Sequence, residues 1–66
     1  MIQSVERAFK IFEFIILNSG AGVTEISRHL GLNKSTAFGL IKTLEELGYI
    51  YKNEETQLYY PSMKLT

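Results

Sequence analysis

VTEISRHLGLNKSTAFGLIKTLEELG, residues 23–48, carries the pattern that decides the fold. Ile26 and Leu30 lie on one face of a short helix. Gly31 breaks that helix where a left-handed residue is wanted, and Thr24 offers its hydroxyl as the N-cap. Leu32 then tucks inward, and Asn33 or Ser35 caps a second helix, over about 34–47. In that helix Ala37, Leu40, Ile41 and Leu44 repeat at helical spacing. Ser27 is small where the two helices must approach closely. Two helices joined by so short a turn, at roughly 90–120°, project the second outward in a shape that enters a DNA major groove. The stretch predicts a helix-turn-helix that reads DNA.

Length and composition bound the rest. The chain has 66 residues, which reads as one domain over 1–66. A domain of that size buries only about 60% of its unfolded surface and is marginal alone, so an oligomer or a neighbouring domain is expected. There is no Cys, hence no disulfide and no thiolate zinc site, and the composition is compatible with a cytoplasmic location. Met1-Ile2-Gln3-Ser4 does not read as a signal peptide. The apolar run 11–17 is interrupted by Glu13 and falls far short of the roughly 20 residues of a membrane span. Seven Lys plus Arg balance seven Glu. Neutrality argues mildly against a phosphate binder, because non-specific DNA affinity comes from clustered positive charge, so distribution decides. No nucleophile–base pair, metal-ligand spacing or Gly-rich phosphate loop is present, and a pocket of roughly 300–1,000 Å³ has little room here. The enzyme class is discarded, and neither metal nor cofactor is expected. His29, a lone histidine without Cys or Asp partners, reads as a surface residue.

Residues 4–18 form an amphipathic helix in which Ser4 is a candidate N-cap and Glu6–Lys10 an i,i+4 pair. Val5, Ala8, Phe9, Phe12, Ile15 and Ile16 make one broad apolar stripe. Ile11, Phe14 and Leu17 fall outside it, a surplus that points to a contact with a second copy or with the chain after Thr66. Cover by the hairpin or by Met63 and Leu65 is the alternative. Asn18-Ser19-Gly20-Ala21-Gly22 is a turn, and residues 22–24 could add a short extended segment. After Gly48 the period changes to 2. Tyr49-Ile50-Tyr51-Lys52 and Gln57-Leu58-Tyr59-Tyr60 flank a polar turn and read as a β-hairpin ended by Pro61. The fold class is mainly α with a small β-hairpin, a winged helix-turn-helix of three helices plus wing.

At 100° per residue, Ser35, Gly39, Lys42 and Glu46 face away from the core stripe of the third helix, with Phe38 on one flank and Thr36 and Thr43 on the other. Lys34, Ser35 and Thr36 occupy the first turn, where the helix dipole and free N–H groups favour a phosphate or a base edge. Capping alone would also explain Ser35 and Thr36. Lys42 suits a phosphate, and Phe38 either a thymine methyl or the edge of the core. Gly39 costs roughly 1 kcal/mol in a helix interior, which close approach to DNA or neutral drift would explain. Arg28 and Lys52 are placed to reach phosphates, and Thr24, at the start of the first motif helix, completes the candidate DNA face. Glu54 and Glu55 at the hairpin tip oppose deep insertion. A winged-helix module that binds protein is the competing reading, favoured by neutrality and by the acidic wing.

The segments SVERAFKIFEFI, VTEISRHLGLNKSTAFGLIKTLEELGYI and YYPSMKL together resemble the IclR-type bacterial transcriptional regulators over nearly the whole chain. The resemblance implies an N-terminal winged helix-turn-helix DNA-binding domain of a dimeric repressor or activator. A larger domain after it would bind a small-molecule effector, making this chain a DNA-binding fragment. A homodimer would then meet a pseudo-palindromic operator in double-stranded DNA. Two positions depart from the family pattern. Gly39 stands where a basic or large polar residue is common, and Glu54-Glu55-Thr56-Gln57 replaces a wing turn that often carries glycine and basic residues. Both changes remove potential DNA contacts.

Overall fold

Three helices and a hairpin follow one another as α1 (Gln3–Leu17), α2 (Val23–Leu30), α3 (Lys34–Glu46), β1 (Ile50–Asn53) and β2 (Leu58–Pro61). The structure is a computed structural model and describes residues 2–62. Met63 and Leu65, considered above as cover for α1, lie outside the described residues.

Local chemistry explains most of the boundaries, with two corrections at helix starts. α1 begins after Ile2, which has extended backbone and makes no side-chain cap bond, so Ser4 is inside the helix rather than its N-cap. α2 begins after Gly22, so Thr24 lies in the first turn instead of capping it. The Glu25 carboxylate accepts from the Gly22 N–H at 3.1 Å, the reciprocal half of a capping box. Residues 23–24 are helical, so the extended segment expected over 22–24 does not form there, and Ala21 before it instead bridges Tyr59 through a pair of backbone bonds of 3.0 and 2.8 Å. Gly31 takes the left-handed conformation (φ 67°, ψ 32°). Its N–H donates to the Arg28 carbonyl at 3.3 Å and the Leu32 N–H to that of Ser27 at 2.9 Å, the bonding of a Schellman turn. Asn33 caps α3: its side-chain oxygen accepts from the Thr36 N–H at 2.8 Å and from the Ser35 hydroxyl at 3.0 Å.

β1 and β2 pair antiparallel in the register Ile50↔Pro61, Tyr51↔Tyr60, Lys52↔Tyr59 and Asn53↔Leu58. The Asn53 side chain organises the turn by accepting from the N–H groups of Glu55 and Thr56 at 2.8 and 3.1 Å. Gln57 takes the left-handed backbone position of this wing (φ 62°) that a glycine would hold more readily. Of the four hairpin tyrosines only Tyr59 is fully buried, while Tyr51 stacks on Tyr60 across the outer face at 5.8 Å. Burial first, then Glu45 and Glu54, raise the Tyr59 hydroxyl pKa above its usual 10.0. The fold therefore favours the neutral phenol, a contribution fully present below the unfolded value and lost as pH rises from it through the raised folded one.

The core is built from Ile11, Ile15, Ala21, Ile26, Ile41, Leu44, Ile50 and Tyr59. Its composition corrects the expected orientation of α1. Ile11, assigned above to an outer contact, is fully buried, and Phe14 is half-buried with its ring stacked 4.4 Å from His29. Phe9 at 69% exposed, Ile16 at 47% and Val5 at 44% instead face solvent, as does Leu17 at 78%. The helix is turned by roughly a quarter of a revolution from the expected setting. The physical reason is that α1 is apolar on two faces, and the compact, branched Ile11 and Ile15 allow the closer approach.

Candidate nucleic-acid interface

The core holds α3 by Ala37 and Ile41, both fully buried, and by Leu44 at 8% exposed. That anchoring turns Ser35, Gly39, Lys42 and Glu46 to solvent, together with Lys34 and Thr36 in the first turn. Ser27, at 6% exposed, gives α2 and α3 their close approach, and its hydroxyl is satisfied by the Thr24 carbonyl at 3.0 Å. Lys42 does not stand alone, because its Nζ lies 3.7 Å from the Glu45 carboxylate. A solvent-exposed i,i+3 pair of this kind is worth only about 0.2–0.5 kcal/mol, so an incoming phosphate can displace Glu45 at little cost.

The wing folds back toward the start of α2. Thr24, Phe38 and Lys52 consequently border one open depression, together with Thr56, Gln57 and Leu58. Phe38 is 46% exposed, which makes it a rim residue rather than a buried core one. Lys52 is half-buried along the strand, whereas Arg28 is exposed on the far turn of α2 and does not border this depression. Sequence reading missed Thr56 and Gln57 as neighbours of Phe38. The hairpin register carried the only signal, and it becomes informative once the Ala21–Tyr59 bridge fixes how the wing sits.

The family model for the IclR helix-turn-helix domain matches residues 4–54, which spans all three helices and the first wing strand. This chain belongs to the IclR helix-turn-helix family. The IclR-type domain is similar to the transcriptional regulator XynR of Escherichia coli, 46% identical over 98% of this chain and 26% of that protein. It is also similar to KdgR of Dickeya chrysanthemi, 30% identical over 97% of this chain and 21% of KdgR. The crystal structure of an IclR family transcriptional regulator from Brucella abortus superposes with a TM-score of 0.86 at 25% identity, over 96% of this chain and 25% of that one. The domain thus spans about a quarter of the length of the relatives it matches.

Within this IclR-type domain the described residues hold no cluster of three or more His, Cys, Asp or Glu able to take a metal. No described helix is long and apolar enough to cross a membrane. The four cations Arg28, Lys34, Lys42 and Lys52 lie on α2, α3 and the wing, while Glu54 and Glu55 occupy the exposed wing turn.

Proposed function

We propose that this domain binds double-stranded DNA sequence-specifically to regulate transcription, with α3 in the major groove and the wing along the sugar–phosphate backbone. The observation that carries the reading is the division of α3. One face is locked into the core and the other, Ser35, Gly39 and Lys42 with the Lys34–Thr36 turn, is fully presented. A helix held in this way meets a groove as a rigid edge. Arg28 and Lys52 flank it as phosphate contacts. Lys42→Ala is expected to weaken binding about equally across sequences and to lower the salt slope by about 1, read by fluorescence anisotropy over a salt series. Ser35→Ala or Thr36→Ala is expected to cost on the order of 1 kcal/mol of operator affinity, with folding checked separately. Unchanged operator affinity in all the folded variants would remove α3 from the interface.

The intact regulator is proposed to act in the cytoplasm as a homodimeric repressor or activator on a pseudo-palindromic operator, with a small-molecule effector bound outside these 66 residues. One helix-turn-helix covers one half-site, so footprints on related half-sites one helical turn apart are expected. The exposed α1 stripe of Val5, Phe9 and Ile16, with Leu17 beside it, supports a protein contact on the opposite side of the helix from Ile11. Phe9→Glu is accordingly expected to reduce self-association in sedimentation while circular dichroism and the unfolding midpoint stay near the parent's. Identical sedimentation of the two proteins would exclude Phe9 from the contact.

The acidic wing tip at Glu54 and Glu55 favours a second reading, a module that binds protein. Absence of DNA binding at low salt, where phosphate attraction is strongest, would favour that reading over the first.

A further inference from the structure

α3 carries none of the side chains that pair bidentately with adenine, and no arginine for guanine: Arg, Asn and Gln are all missing from Lys34–Glu46. Asn33, just before the helix, is engaged as the N-cap by Thr36 and Ser35, and the Gln57 amide on the wing donates to the Glu54 carbonyl at 2.7 Å. Of the two lysines, Lys42 is assigned above to a phosphate, its pair with Glu45 being weak. What the helix does present is unusual in a different way. Phe38 leaves nearly half its surface in water, and next to it Gly39 is exposed in mid-helix.

The fold has no use for that glycine. A Cβ added at Gly39 would meet no atom within 4 Å, and the residue keeps a φ that any side chain adopts. The helix continues through it, and its carbonyl even accepts a second bond from the Thr43 hydroxyl at 3.0 Å. Glycine here lowers helix stability by about 1 kcal/mol relative to alanine, with no packing return inside the domain. Its one geometric consequence is outward. The helix surface is recessed by about one C–C bond, 1.5 Å, beside an aromatic ring that projects.

We infer that Phe38 and Gly39 together form a reader of the thymine 5-methyl group, Gly39 letting the α3 backbone approach the groove floor and Phe38 making the apolar contact. Thymine alone among the four bases presents a methyl in the major groove, so an apolar projection discriminates it without hydrogen bonds. The inference rests on the proposal that α3 enters the major groove.

Duplexes selected by this chain from a random-sequence library supply the probe. Each thymine of the selected site is replaced in turn by deoxyuridine, which deletes only the methyl. At one or two positions the parent is expected to lose about 4-fold in affinity, the worth of one buried methyl. Phe38→Ala and the more conservative Phe38→Leu, confirmed as folded, are expected to bind thymine and uracil duplexes with a ratio closer to one. Gly39→Ala is expected to raise the melting temperature while weakening the selected site about 10-fold. A uracil penalty that persists undiminished in Phe38→Ala, no penalty at any position, or a Gly39→Ala variant that binds like the parent would each overturn the inference while leaving DNA binding intact. Failure of the parent to bind any duplex would overturn the groove assignment with it.

Discussion

Replacing Ile11 with alanine is expected to remove about 2–5 kcal/mol of stability, an amount comparable to the whole stability of a domain this small. Ile11 is fully buried in the cluster with Ile15, Ile26, Ile41, Ile50 and Tyr59, contributed by all three helices and both strands of the wing. Truncation loses the transfer free energy of the side chain and leaves a cavity, which neighbours from rigid helices cannot readily fill. Phe9→Ala is the matched control, since Phe9 is 69% exposed on the same helix and its loss opens no cavity. Urea unfolding followed by circular dichroism separates the two. If Ile11→Ala lowers the midpoint no more than Phe9→Ala does, the orientation of α1 is wrong and Ile11 belongs to an outer contact after all.

Gly20→Ala is expected to cost about 2–4 kcal/mol, from two sources that can be measured apart. The residue holds φ 115°, a conformation L side chains rarely adopt, and such strain is worth about 1–3 kcal/mol. An added Cβ would also press into the Tyr60 ring, with Cδ1 at 2.9 Å and Cζ at 3.0 Å, so the ring would have to move and release its stack on Tyr51. Combining Gly20→Ala with Tyr60→Ala removes the collision and keeps the strain, so the double variant should recover part of the loss as a favourable coupling. Strict additivity would mean that the ring yields freely and that strain alone carries the cost. Gly39→Ala offers the opposite sign for the same chemical change, because there the backbone is helical and the space is open.

How much of this was legible depended on whether a signal was local. Gly31, Asn33 and the Ala37–Ile41–Leu44 spacing each act within a turn or two of chain, and the elements they predict formed where expected. The outward face of α3 followed as the complement of its core stripe. The hairpin was equally local, since alternation and the Asn53 turn define it without reference to the helices. The neighbourhood of Phe38 was not legible. Lys52 and Gln57 border it because the wing is pinned by the Ala21–Tyr59 bridge, a contact across 38 positions of chain.

The amino-acid pattern by itself determined three helices, a left-handed turn between the last two, a hairpin after them and the exposed polar edge of α3. Those follow from periodicity, capping and glycine stereochemistry, which are properties of short segments. Only the tertiary structure decided which face of α1 is inside. Val5, Phe9 and Ile16 are as apolar as Ile11, Ile15 and Phe14, so periodicity ranks the two stripes nearly equally. Packing breaks the tie, because α2, α3 and the wing leave a narrow space that the branched isoleucines fill at close approach and a phenylalanine at position 9 does not.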